Sequence, residues 1–75
     1  MNEMILKAQP ETNLKRLRTQ AGLSQRQLSD TSGVPFRTIQ QYEQRQKNIN
    51  KAQAEYLLML AYALHCDPGD LIERI

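Results

Sequence analysis

Residues 24–44 read SQRQLSDTSGVPFRTIQQYEQ, and their punctuation decides the fold. Ser24 stands where a helix N-cap belongs, and Gln27 three residues on completes a capping box. Leu23 and Leu28 have the spacing of a hydrophobic staple across that cap. Three agreeing local signals predict a helix from Gln25 to Ser32. Gly33 ends it, since glycine suits the positive φ of a tight turn. Val34 and Ile39 repeat the staple spacing and bracket a further helix, Phe36 to Gln44, whose apolar positions are Ile39 and Tyr42.

Helical spacing continues on both sides, and no stretch alternates with period two. Leu14, Leu17 and Ala21 define a preceding helix from Asn13 to Ala21, with Gly22 as its C-terminal cap. Downstream, Arg45 to Ile49 is a polar loop. Asn50 then caps a fourth helix, with Gln53 at the capping-box partner position. Ala54, Leu57, Leu58, Ala61 and Leu64 make its core stripe. Met59, Leu60 and Tyr62 lie off the stripe, so this helix is apolar nearly all round and is expected at the buried centre. Asp67 caps a fifth helix, with Pro68 at its first position, Asp70 in its first turn, and Leu71, Ile72 and Ile75 apolar to the end. The organisation expected is an N-terminal arm, residues 1–12, and one helical domain, residues 13–75.

Composition bounds what such a chain does. With 75 residues there is room for one domain, not for a catalytic unit beside a regulatory one. Charged residues at 24% and hydrophobic ones at 40% are globular composition. The net charge of +2 is too slight to name a partner. Its distribution says more: residues 1–50 hold eight Lys and Arg against four acids, +4, whereas residues 51–75 hold two against four, −2. One end is therefore suited to a polyanion. The single cysteine, Cys66, makes no internal disulfide and fits a reducing cytosol. One His and one Cys are too few for a structural zinc site, and as neighbours at a helix end they build no nucleophile–base pair. No enzyme, metal or cofactor is expected. The longest apolar run, Tyr56 to Leu64, falls far short of the about 20 residues that span a bilayer, and Met1 to Pro10 has no secretory pattern. The expected location is cytoplasmic.

Two short helices joined by a tight glycine turn make a helix-turn-helix unit. Counted from Gln25, the fourth residue is apolar (Leu28), the fifth small (Ser29), the ninth Gly33, the tenth Val34, the fifteenth Ile39 and the eighteenth Tyr42. A small residue at Ser29 lets the third helix cross the second closely. Residues 13–75 resemble the phage repressor/Cro (XRE-type) helix-turn-helix family. The matching text is Leu14-Lys15-Arg16-Leu17-Arg18, Gly22-Leu23-Ser24-Gln25, Leu28, Gly33-Val34, Thr38-Ile39, Tyr42-Glu43, Leu60-Ala61-Tyr62-Ala63-Leu64 and Asp67-Pro68 with Leu71. The resemblance implies an all-α, compact five-helix lambda-repressor-like domain that binds operator DNA as a dimer, with its third helix in the major groove.

The residues themselves agree. Around the third helix, Arg37, Gln41 and Gln44 fall at about 160°, 200° and 140° from Ile39, one exposed polar face flanked by Gln40 and Arg45. Arg pairs with guanine and Gln with adenine through bidentate bonds, so Arg37, Gln41, Gln44 and Gln40 are candidate base readers. Phe36 joins them as a side chain able to touch a thymine methyl, or equally to pack against the second helix or serve a protein partner. Candidate phosphate contacts are Gln25, Arg26, Thr38, Arg45, Lys47, Asn48 and Lys51. In the family the position of Gln25 also braces the recognition helix. The resemblance further implies a partly buried salt bridge, Arg18 to Glu43, joining the first and third helices. Pro35 departs from the family pattern, standing where Ser or Thr usually caps the third helix, and so does Phe36, where a polar residue is common.

Other residues have plainer roles. Cys66 is read as a small apolar residue opposite Leu71, His65 as a helix-end residue, and Tyr56 and Tyr62 as core or interface aromatics. Asp67, Asp70 and Glu73 are read as caps and solvated face. The expected partners are double-stranded DNA and a second copy, paired through the C-terminal helix or the Met4-Ile5-Leu6 arm. An antitoxin-like or adaptor module with a protein partner is the alternative.

Overall fold

The chain enters its first helix through Thr12, whose hydroxyl accepts from the N–H of Lys15 at 3.1 Å. The computed structural model describes residues 10–73. It contains four α-helices: α1 (Asn13–Gln20), α2 (Gln25–Ser32), α3 (Phe36–Glu43) and α4 (Ala54–Leu64). Two 3-10 turns, Ile49–Lys51 and Pro68–Leu71, complete the described secondary structure. The Met4-Ile5-Leu6 arm and Ile75 lie outside the described residues.

The capping box of α2 is formed in full. Gln27 N–H donates to Ser24 Oγ at 3.0 Å, and Ser24 N–H donates to Gln27 Oε1 at 2.8 Å. Gly33 closes the helix at φ 85°, and Ser29 Oγ donates to the Val34 carbonyl at 2.7 Å, tying α2 to the entry of α3. Any side chain in place of Gly33 is strained by that φ, and a Cβ would also lie 3.1 Å from Met59 Cε of α4, so the end of that flexible side chain would have to shift by a few tenths of an ångström. Gly33→Ala should therefore lower stability by roughly 1–2 kcal/mol, read as a lower urea midpoint at unchanged slope. Pro35 caps α3 without a side-chain hydrogen bond, as its chemistry requires.

Leu14, Leu28, Val34, Ile39, Leu60 and Leu71 are the fully buried side chains, one or more from each helix and the last turn. Helix α2 packs against both α3 and α4, while α1 and α4 both rest on the Pro68–Leu71 turn. The core is thus held between the helix-turn-helix pair and the C-terminal half.

Three expectations for the C-terminal half are corrected. The fourth helix does not start at Asn50. Asn48 caps the Ile49–Lys51 turn through Asn50 N–H at 2.9 Å, and α4 begins only at Ala54. The Asn50 amide is drawn away by a tertiary partner: it donates to the Glu73 carbonyl at 2.8 Å and accepts from Glu73 N–H at 2.7 Å. The fifth helix is one 3-10 turn, so the described domain has four α-helices, not five. Asp70 does accept from Asp67 N–H at 3.1 Å, as a first-turn acid should. Beyond Leu71, however, Ile72 is extended, and Asn13 Nδ2 takes its carbonyl at 2.9 Å. Finally, the stripe of α4 is rotated. Leu60, Ala61 and Leu64 are buried, whereas Leu58 and Tyr62 are exposed at 58% and 86%. In a helix apolar all round, period alone cannot say which side faces the core.

Candidate nucleic-acid interface

The polar face of α3 is mounted on a buried ionic bracket. Glu43, the last residue of α3, accepts from Arg18 Nε at 2.7 Å and Arg18 Nη2 at 3.0 Å. Gln25 Nε2 donates to the same carboxylate at 3.0 Å. Arg18 Nη1 reaches the Leu23 carbonyl at 2.7 Å. The Arg18 and Glu43 side chains are only 10% and 3% exposed. One carboxylate therefore joins α1, the start of α2 and the end of α3. The fork geometry of guanidinium against carboxylate makes this bracket directional as well as strong. The hydrogen bond to Glu43 raises the Arg18 guanidinium above its ordinary value and outweighs the opposing effect of burial. A raised arginine contributes its stability below that value and loses it only above, so the guanidinium stays charged throughout the working pH range.

On the far side of α3, Arg37 and Gln44 are exposed and Gln40 and Gln41 half-buried, while Ile39 and Tyr42 face inward at 0% and 6% exposure. Burial pushes the Tyr42 hydroxyl up from its ordinary value, which keeps it a neutral packing group. The chain leaves α3 through Arg45 in a left-handed conformation, φ 61°, and the N–H groups of Gln46 and Lys47 fold back onto the Gln41 carbonyl. That bend carries the basic loop alongside the helix.

The structure gathers some phosphate candidates and separates others. Thr38, Lys47, Asn48 and Lys51 line one groove together with Tyr42 and Tyr56. Both lysines are exposed, and neither takes part in the two ion pairs among the described residues. Arg45 lines the adjoining hollow, which shares Tyr42, Lys47 and Asn48 with that groove, and its guanidinium is engaged there: it bonds the Pro10 carbonyl and approaches Glu73 at 3.5 Å. Gln25 turns its amide inward to Glu43. Arg26 lies over the ring of Phe36, 4.4 Å from its centroid.

Two contributors escape sequence reasoning. Tyr56 shapes the lysine groove but reads as one more apolar residue in a long apolar run. Glu73, expected as solvated face, is half-buried and accepts from Asn13 N–H at 2.6 Å at the start of α1, besides meeting Asn50 and Arg45. Only its distance in sequence from those partners hid it. At Cys66, burial first, and then the nearby Asp70 and Asp67, push the thiol above its ordinary value, which favours the protonated packing form.

A helix-turn-helix family profile matches residues 14–71. The chain belongs to the helix-turn-helix family. It is of the XRE type, a DNA-binding family of transcription regulators rather than enzymes. Among solved structures, the restriction-modification controller protein C.AhdI from Aeromonas hydrophila is similar. It shares 35% identity and a TM-score of 0.70, over 80% of this chain and 86% of that one. A search of curated proteins gave no match. No helix among the described residues is long and apolar enough to cross a membrane.

Proposed function

We propose that this protein is a sequence-specific transcriptional regulator that binds a palindromic operator as a homodimer, with α3 in the major groove. The observation that carries the reading is the pairing of two faces on one helix. Arg37 and, at the cap just past the helix end, Gln44 are exposed, with half-buried Gln40 and Gln41 between them, while Glu43 locks the same helix from behind to Arg18 and Gln25. A base-reading face needs such a mount, because bidentate bonds to base edges tolerate little misplacement. Lys47, Lys51, Asn48 and Thr38 supply the phosphate side of the contact. Similarity to a restriction-modification controller supports a regulatory role of the same kind.

The homodimer rests on α4. Leu58 and Tyr62 lie one turn apart on its outer face, both exposed. A pair of large apolar residues at that spacing is suited to a twin copy, since a twofold axis brings the same patch to itself. This face replaces the C-terminal helix as the pairing surface, because that helix is only a turn. The alternative, an antitoxin-like or adaptor module, would use the same face for a different protein.

Selection from a random DNA library at moderate salt tests the proposal. The expected result is enrichment of a two-fold symmetric sequence. Recovery of nothing better than bulk DNA would overturn it. On the selected site, Arg37→Ala should cost about 1–3 kcal/mol and relax the preference at one base pair per half-site. Lys47→Ala should instead weaken all sequences alike and flatten the salt slope.

A further inference from the structure

Phe36 opens α3 at a position where the family usually carries a polar residue, and the structure gives its ring a definite occupant. The Arg26 guanidinium carbon lies 4.4 Å from the ring centroid, well inside the about 6 Å over which an aromatic face attracts a cation. Arg26 is the second residue of α2 and Phe36 the first of α3, so the stack joins the N-terminal ends of the two helices of the motif. Arg26 is exposed and Phe36 half-buried. Neither ion pair among the described residues uses Arg26. The guanidinium is therefore held over the ring, and none of its donors is used in a side-chain hydrogen bond among the described residues. An arginine already held in one orientation loses less freedom when it meets a phosphate oxygen.

We propose that Phe36 is a positioning residue: its ring presents Arg26 edge-on to a DNA phosphate beside the groove, and it does not itself read a base. This inference rests on the DNA-binding reading above. It makes the aromatic departure at Phe36 a means of adding one fixed phosphate contact without a second acid to hold the arginine.

Arg26→Ala, Phe36→Leu, the double variant and Phe36→Tyr test it, each titrated against the selected operator and against unrelated DNA over a salt series. Loss of one phosphate contact flattens the logarithmic salt slope by about 0.9 per protomer, equivalent to about fivefold weaker binding near 0.15 M salt. Arg26→Ala and Phe36→Leu should each show that loss, equally on both DNAs, and the double variant should show no more. Phe36→Tyr keeps a ring and should retain the wild-type slope. The inference is overturned if Phe36→Leu keeps the slope but relaxes the preference at one base, as a thymine-methyl contact would, or if the two single losses add. Thermal unfolding of Phe36→Leu shows whether it is folded. The free protein gives an independent readout, since ring currents should shift the Arg26 side-chain protons upfield in the wild type and in Phe36→Tyr. Absence of that shift overturns the stack without any DNA. If the wild type selects no DNA, the DNA-binding reading fails and takes this inference with it. If the wild type binds and Phe36→Leu is unaffected, only the role of Phe36 falls.

Discussion

Glu43→Ala is expected to remove about 3–5 kcal/mol of folding stability, the range seen when one partner of a buried ion pair is deleted. Arg18 would be left with one of its three described hydrogen bonds, to Leu23, in a site where its side chain is only 10% exposed. The loss compares with the roughly 3–5 kcal/mol that a core of this size supplies in total. The variant should therefore lose most of its helical circular dichroism at ordinary temperature. Glu43→Gln should fall between it and the wild type, because its amide NH2 would face the donors of Arg18 or Gln25. The combined change Arg18→Met and Glu43→Leu separates stability from bracing. An apolar pair often matches a buried ion pair in stability. Here it should refold the domain while leaving Gln25 without its acceptor and α3 without its directional mount. Its DNA affinity should stay below wild type even when its unfolding midpoint does not. Equal affinity would show that the bracket serves stability alone.

Leu28→Ala is expected to cost about 2–5 kcal/mol, the range for a fully buried leucine truncated to alanine. Leu28 is 0% exposed, on the one helix that packs against both α3 and α4, so a cavity beneath it loosens two interfaces at once. Leu58→Ala makes the matching control. The same chemical change at a residue 58% exposed should alter monomer stability by no more than about 0.5 kcal/mol. Its effect should appear instead in sedimentation, as weaker self-association through the α4 face. Chemical denaturation at two protein concentrations distinguishes the cases. Leu28→Ala should lower the midpoint at both, whereas Leu58→Ala should remove a concentration dependence present in the wild type.

The helix-turn-helix was legible because its signals are local. The Ser24–Gln27 box and Gly33 each act within a few residues, and nothing distant competes with them. The outward set on α3 was legible for the same reason, since Ile39 and Tyr42 fix which side is inward. The sequence was a poorer guide where a local preference met a distant competitor. Asn50 has the chemistry of a cap, yet its amide closes on Glu73 across 23 positions. Ile72 fits a helical stripe, yet it is extended, with Asn13 Nδ2 donating to its carbonyl and Asn50 bonded to Glu73 beyond it, and Gly69 lowers the helical preference of the turn before them. Arg45 looked like its neighbour Lys47, but past its left-handed turn its guanidinium is held by the Pro10 carbonyl and Glu73, whereas Lys47 takes part in no ion pair among the described residues.

The sequence by itself determined the all-helical class, the boundaries of α2, the start of α3 and its inward-facing residues Ile39 and Tyr42; α3 ends at Glu43, one residue before the expected Gln44. Capping boxes, glycine turns and helical period are set by atoms a few residues apart. Tertiary structure decided which side of an all-apolar α4 is buried, which leaves Leu58 and Tyr62 outside. It ended the last described helix after one turn, tied Arg45 to Pro10 and Glu73 and laid Arg26 on Phe36. Each of those outcomes depends on partners far apart in sequence, whose meeting is fixed only when the helices pack.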